Sequence, residues 1–150
     1  MPKYPGKCPD IREADIYTAC PFNCVYCIAK QSTSKEVKPS GLAQKIIDSP
    51  VSDIPLYLCP WTDPYPPCEE KHYRTGSLVR HLSKTEQPFY LITRSLLVRR
   101  DISIIRNSKR AFVSISLNTL NEDTIELLEP NAPGAGERAE MIEEFAGISG

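Results

Sequence analysis

Phe89-Tyr-Leu-Ile-Thr-Arg-Ser-Leu-Leu-Val-Arg-Arg-Asp-Ile-Ser-Ile-Ile-Arg-Asn-Ser-Lys-Arg-Ala-Phe-Val-Ser-Ile-Ser-Leu117 carries the pattern that decides the fold. Residues 89–93 and 112–117 are rich in aromatic and β-branched side chains, as strands are, and Asp101 between them introduces Ile-Ser-Ile-Ile-Arg as a candidate helix. The same order extends both ways. Residues 15–18 and 54–59 read as two earlier strands. Ser40 introduces a helix over 41–48, Thr75 one over 76–82, and Asn121 one over 122–128, and a last helix is expected over 137–145. At each of the first four starts a Ser, Thr, Asp or Asn stands where an N-cap side chain accepts an orphan backbone N–H.

Strands that alternate with helices pair in parallel, because only a crossover returns the chain in the same direction. The expected class is therefore α/β, a partial (βα) barrel of parallel strands with about four βα units. Ligands of such folds sit at the carboxyl ends of the strands. The polar motifs fall there: Cys20 to Cys27 after the first strand, Thr62-Asp63 after the second, Arg94-Ser95 after the third, and Ser116 to Thr119 at the end of the fourth. Residues 60–67, with four prolines, read as a stiff connector.

The 150 residues carry 18 Lys or Arg against 19 Asp or Glu, a net charge of -1, and like charges run no longer than pairs such as Arg99-Arg100. Nucleic acid as a partner is thus not indicated by charge. The length suits one domain, spanning 1–150. No apolar stretch nears the roughly 20 residues of a membrane span, and Met1-Pro-Lys-Tyr-Pro-Gly6 lacks the apolar core of a signal peptide, so the expectation is a cytoplasmic protein without membrane contact. In a reducing compartment, six cysteines point to a metal or redox site before disulfides.

Cys20-Pro-Phe-Asn-Cys24-Val-Tyr-Cys27 has the spacing Cys-x3-Cys-x2-Cys. Three thiolates on one loop hold three corners of an iron–sulfur cube and leave one iron open, where a molecule offering an amine and a carboxylate chelates. Two alternatives stand beside this. A structural zinc site would recruit Cys8 as a fourth thiolate, without the usual two close cysteine pairs. A ferredoxin-like carrier would supply its own fourth cysteine at a different spacing. His72 and His81 read as surface residues, and Cys8 and Cys68 receive no role.

The cysteine motif, with Tyr26 before its third cysteine, is similar to the signature of the radical S-adenosylmethionine (SAM) superfamily. Residues 56–67 (LYLCPWTDPYPP), 90–101 (YLITRSLLVRRD), 113–120 (VSISLNTL) and 128–133 (LEPNAP), followed by Arg138, resemble successive motifs of its DNA repair photolyase-like group, related to spore photoproduct lyase. The resemblance runs from about Asp15 to the C-terminus.

It implies a lyase-like enzyme in which Cys20, Cys24 and Cys27 ligate a [4Fe-4S] cluster and SAM binds the open iron. Tyr26 would lie near the adenine, and Thr62 and Asp63 would accept from the SAM ammonium. Arg94, where relatives commonly carry Lys, would meet the carboxylate. Ser116 and Asn118 would serve the ribose and carboxylate, and Arg138 the carboxylate, although relatives usually have Ser where this chain has Gly134. Each has an ordinary alternative: a packed ring for Tyr26, an Asx turn for Thr62-Asp63, a solvated charge for Arg94, strand end and helix cap for Ser116 and Asn118, a helix-surface charge for Arg138. The lyases carry a hydrogen-atom-donating cysteine at the place of Pro60. Cys59 is one residue away and expected to be a buried core thiol, so thymine-dimer chemistry is not implied. Relatives continue through further strands, so the chain is expected to be the N-terminal portion of the core, with weak SAM retention by itself. An electron donor such as flavodoxin or ferredoxin and a second chain completing the barrel are the expected partners. A non-catalytic iron–sulfur or zinc fragment and one subunit of a split enzyme are the rival readings.

Overall fold

The computed structural model describes residues 10–29 and 36–147. Four strands, β1 (Arg12–Ala14), β2 (Leu56–Leu58), β3 (Phe89–Thr93) and β4 (Ala111–Ile115), form one open, all-parallel sheet in the sequential order β1-β2-β3-β4. Around it stand α1 (Leu42–Ile47), α2 (Glu69–His72), α3 (Arg74–Lys84), a 3-10 helix (Leu96–Asp101) running into α4 (Ile102–Arg106), α5 (Glu122–Leu128) and α6 (Ala135–Ala146). The expected α/β class and parallel pairing hold, and the sheet is not closed. Among the described residues no helix is long and apolar enough to cross a membrane.

Alternation along the strands divides the two faces of the sheet. Leu56, Leu58, Phe89 and Leu91 are buried in one core with Leu78, Val79 and Leu82 of α3 and Ile105 of α4. Residues of opposite parity form a second row, with Tyr57 in register with Tyr90 and Tyr90 with Phe112. The two tyrosine rings lie 5.0 Å apart, and Phe112 is 69% exposed.

β3 forms over the expected residues, paired on both sides. The other boundaries are corrected. The first strand lies at Arg12–Ala14 and not 15–18, because Asp15 turns its carboxylate to Trp61 N and Thr62 Oγ1 and Tyr17 makes an isolated bridge to Pro39. β2 is shorter than 54–59, and β4 starts and ends earlier than 112–117. The last helix extends beyond 137–145 at both ends.

Helix starts are corrected too. Asn121 caps α5 through Thr124 N at 2.8 Å, as expected, whereas α1 spans Leu42–Ile47 and not 41–48, its N-cap is Gly41 in a left-handed conformation, and Ser40 stands one residue earlier, its Oγ accepting from Leu42 N at 3.2 Å. Thr75 and Asp101 do not cap. Helix α3 already begins at Arg74, and Glu69 accepts from the amides of Arg74, Thr75 and Gly76. Ser95 caps the unforeseen 3-10 helix, accepting from Leu97 N, while Asp101 accepts from Tyr65 and Arg100.

Candidate functional site

The cysteine loop leaves β1 along a buried path. Ile16 N donates to Cys59 Sγ at 3.3 Å, and the Tyr17 hydroxyl donates to the Glu69 carboxylate. Cys20, Phe22 and Cys24 then form a small apolar cluster of their own, with Cys27 and Ala132 against it. Asn23 takes a left-handed φ of 51°, which Asn tolerates better than most side chains, and Cys27 N closes onto Cys24 O at 3.1 Å. All three cysteines are free thiols. Cys8 lies outside the described residues.

A cavity of about 320 Å³ opens at the carboxyl ends of β2 to β4, and Cys20, Cys24 and Cys27 line it together with Tyr26, Thr62, Asp63, Arg94 and Ser116. Burial pushes the Cys20 thiol up to about 11 and raises that of Cys24, while the Arg94 guanidinium works in the opposite direction on both. Burial thus favours the protonated form of Cys20 and Cys24, and a cation or a metal is what would draw their protons off. Among the described residues, no three His, Cys, Asp or Glu side chains stand together as a ready metal-holding group; the thiols share a wall without being gathered.

Asp63 is buried and forms the Asx turn, with Oδ1 accepting from Tyr65 N at 2.8 Å and from Thr93 Oγ1 at 2.7 Å, and Oδ2 from Arg94 N at 3.1 Å. It staples the exits of β2 and β3. Burial nonetheless raises its carboxyl above the usual range. Thr62 donates to Asp15 at 3.1 Å. Cys59 is buried, as expected, and burial pushes its thiol up to about 12. Its φ of 56° breaks the strand alternation, so the residue also borders the cavity and does not point away from it.

Arg94 is no solvated charge: its side chain is largely buried, with Nε 3.8 Å from Glu129 Oε1. Ser116 borders the cavity, and its carbonyl accepts from Arg138 Nη1 at 2.9 Å. Neither Asn118, which is exposed, nor Arg138, which is buried, lines the cavity. Asn118 Nδ2 donates to the Tyr26 hydroxyl at 2.7 Å and to Glu129 Oε1 at 3.0 Å. Arg138, expected on a helix surface if not at a ligand, is wholly buried and pairs with Glu129 Oε2 at 2.5 Å. His72 and His81 are half-buried, not fully exposed.

Two residues had no role in the sequence reading. Glu129 gathers Tyr26, Asn118, Arg94 and Arg138, and Glu69 gathers Tyr17, Arg100 and the start of α3. The signal for Glu129 was a charge between Leu128 and Pro130 within a motif otherwise made of turn residues.

Compared with known proteins, the chain matches no protein-family model and none of the curated proteins.

Proposed function

We propose that this chain is the cluster-bearing part of a radical SAM enzyme, a sector of a (βα) barrel in which Cys20, Cys24 and Cys27 hold a [4Fe-4S] cluster and SAM, acting on an unidentified substrate. One observation carries the reading. The three cysteines of the Cys-x3-Cys-x2-Cys loop face the same cavity as Arg94 and Ser116, at the carboxyl edge of a sequentially ordered parallel sheet.

The donor set fits the group in kind: three soft thiols on one loop suit an iron–sulfur cluster with an open iron, and the cavity keeps them out of bulk water. When bound, the cluster supplies the electron that cleaves SAM reductively to methionine and a 5'-deoxyadenosyl radical. The residues of the chain bind and orient. Arg94 offers positive charge to a carboxylate, Ser116 and Thr62 offer hydroxyls, and the Tyr26 ring gives a flat wall. Asp63 has three donors already, so its share is to hold Arg94 and the Pro-rich loop in place. Asn118 and Arg138 act through Tyr26, Ser116 and Glu129, which they bond. A flavodoxin- or ferredoxin-type electron donor and a second chain covering the open sheet belong to the same reading.

The test is anaerobic reconstitution with iron and sulfide, then dithionite and SAM, scoring 5'-deoxyadenosine. Wild type is expected to form it, and Cys24→Ala to lose it entirely. A non-catalytic metal-holding fragment is the second reading, and it draws on the same three cysteines along one cavity wall. Zinc uptake, or a bound cluster without deoxyadenosine, would establish it instead.

A further inference from the structure

Residues 128–131 cross the cysteine loop like a strap. Val25 N donates to Leu128 O at 2.9 Å, Asn131 Nδ2 donates to Pro21 O at 3.0 Å, and between them the Tyr26 hydroxyl donates to Glu129 Oε1. The Glu129 side chain is fully buried. A lone carboxylate in that position would be driven to take up a proton. Burial does push its carboxyl up, but donors from Tyr26 and Arg138 and the charges of Arg94 and Arg138 outweigh it, and the group titrates below the usual range. It is therefore a fixed anion at neutral pH. The residues it holds are those of the cavity wall: Tyr26 and Arg94 line the cavity, and Asn118 bonds Tyr26 and Glu129 together.

Two arginines face the Glu129 carboxylate, with Asp63 also acting on Arg94 and Glu122 on Arg138, and Arg94 Nε and Arg138 Nη2 are buried without a hydrogen-bond partner among the described residues. Glu129 thus draws Arg94 to the wall beside the thiols without using up its donors.

We propose that Glu129 is a positioning residue: acting through Tyr26 and the 128–131 strap, it shapes the cysteine loop in the metal-free chain and orients Arg94 for an anionic occupant of the cavity. The second half rests on the proposed function; the first does not. The experiment begins with the metal-free, full chain and follows iodoacetamide labelling of each cysteine by mass spectrometry. Cys59 borders the same cavity but packs in the main core with its Sγ accepting from Ile16 N, so its labelling reports opening of the core. Glu129→Gln is expected to speed labelling of Cys24 relative to Cys59 by about tenfold or more, Glu129→Asp to restore part of the protection, and Tyr26→Phe, which leaves the carboxylate its two arginines, to give an intermediate rate. If the Cys24-to-Cys59 ratio in Glu129→Gln and Tyr26→Phe equals that of wild type, Glu129 is only a stability element and the proposal fails. In reconstituted protein, the same Gln variant is expected to weaken the change that SAM makes in the electron paramagnetic resonance spectrum of the reduced cluster. Wild type that loads no iron would sink the proposed function while the labelling ratio still decides the role of Glu129 in the loop.

Discussion

Two buried glutamates each tie down a tyrosine that borders the cysteine loop, and they do so in opposite electrostatic settings. Glu69 receives the Tyr17 hydroxyl, three backbone amides at the start of α3, and Arg100 Nη2 at 2.7 Å. Arg100 is shared with Asp101 at 2.9 Å, so two carboxylates face one guanidinium and the helix start supplies the rest of the positive field. Glu129 faces two guanidinium groups and no helix amides, and leaves arginine nitrogens unpartnered. The first hub is closed: every donor aimed at it is used. The second has unspent donors next to a cavity. A fully satisfied buried charge holds a fold, and an under-satisfied one leaves donors that a neighbouring group can still use.

The largest effect expected from this contrast is on stability. Glu69→Ala strands a buried set of amides and Arg100, and is expected to cost about 3–5 kcal/mol in urea unfolding, with labelling of Cys24 and Cys59 rising together. Glu129→Ala is expected to cost less and to expose Cys24 alone; equal losses with parallel labelling would erase the distinction between the hubs.

A smaller effect lies in the acid limb of stability. The folded pKa of Glu129 is below its unfolded value, so its contribution is complete above about pH 4.3 and is lost as pH falls through the folded pKa. Wild type should therefore lose stability below about pH 4.3 more steeply than Glu129→Gln, by at most about 1.4 kcal/mol per pH unit. Identical slopes would mean that folding does not lower the pKa of Glu129. The smallest effect belongs to Asn118→Ala, which removes one neutral donor from the hub. About 1 kcal/mol of stability and a slight gain in Cys24 labelling are expected, and a loss as large as that of Glu69→Ala would show that Asn118, not the carboxylate, organises the cluster.

What the sequence disclosed follows the same division between local and distant causes. β3 was readable to the residue because its pattern is continuous and it is paired on both sides. Asn121 was readable as a cap because its acceptor reaches only three residues along. The start of α3 was not, since the carboxylate that satisfies it comes from the preceding short helix and displaces Thr75 from the role. β1 was misplaced because the stretch 15–18 holds the strand-like Ile16 and Tyr17, while Asp15 and Tyr17 are drawn off by Thr62 and Pro39 far along the chain. That the cysteines, Arg94 and Ser116 come together at one cavity was legible from their places after strands. Asn118 and Arg138 were named without their bonds to Glu129, because nothing local reveals that Glu129 gathers both of them. Cys59 was read with strand geometry and stands in a left-handed turn, which no neighbouring glycine announced.

The strap reaches across a long interval of sequence. Tyr26 and Glu129 are 103 positions apart, and Pro21 and Asn131 are 110. During synthesis the three thiols leave the ribosome early, well before the residues that shape their loop, and at about 5–20 residues per second that interval lasts several seconds or more. Under the proposed function, an iron–sulfur donor arriving in that interval would meet cysteines whose loop is not yet shaped, so that productive delivery would wait for the chain through Asn131.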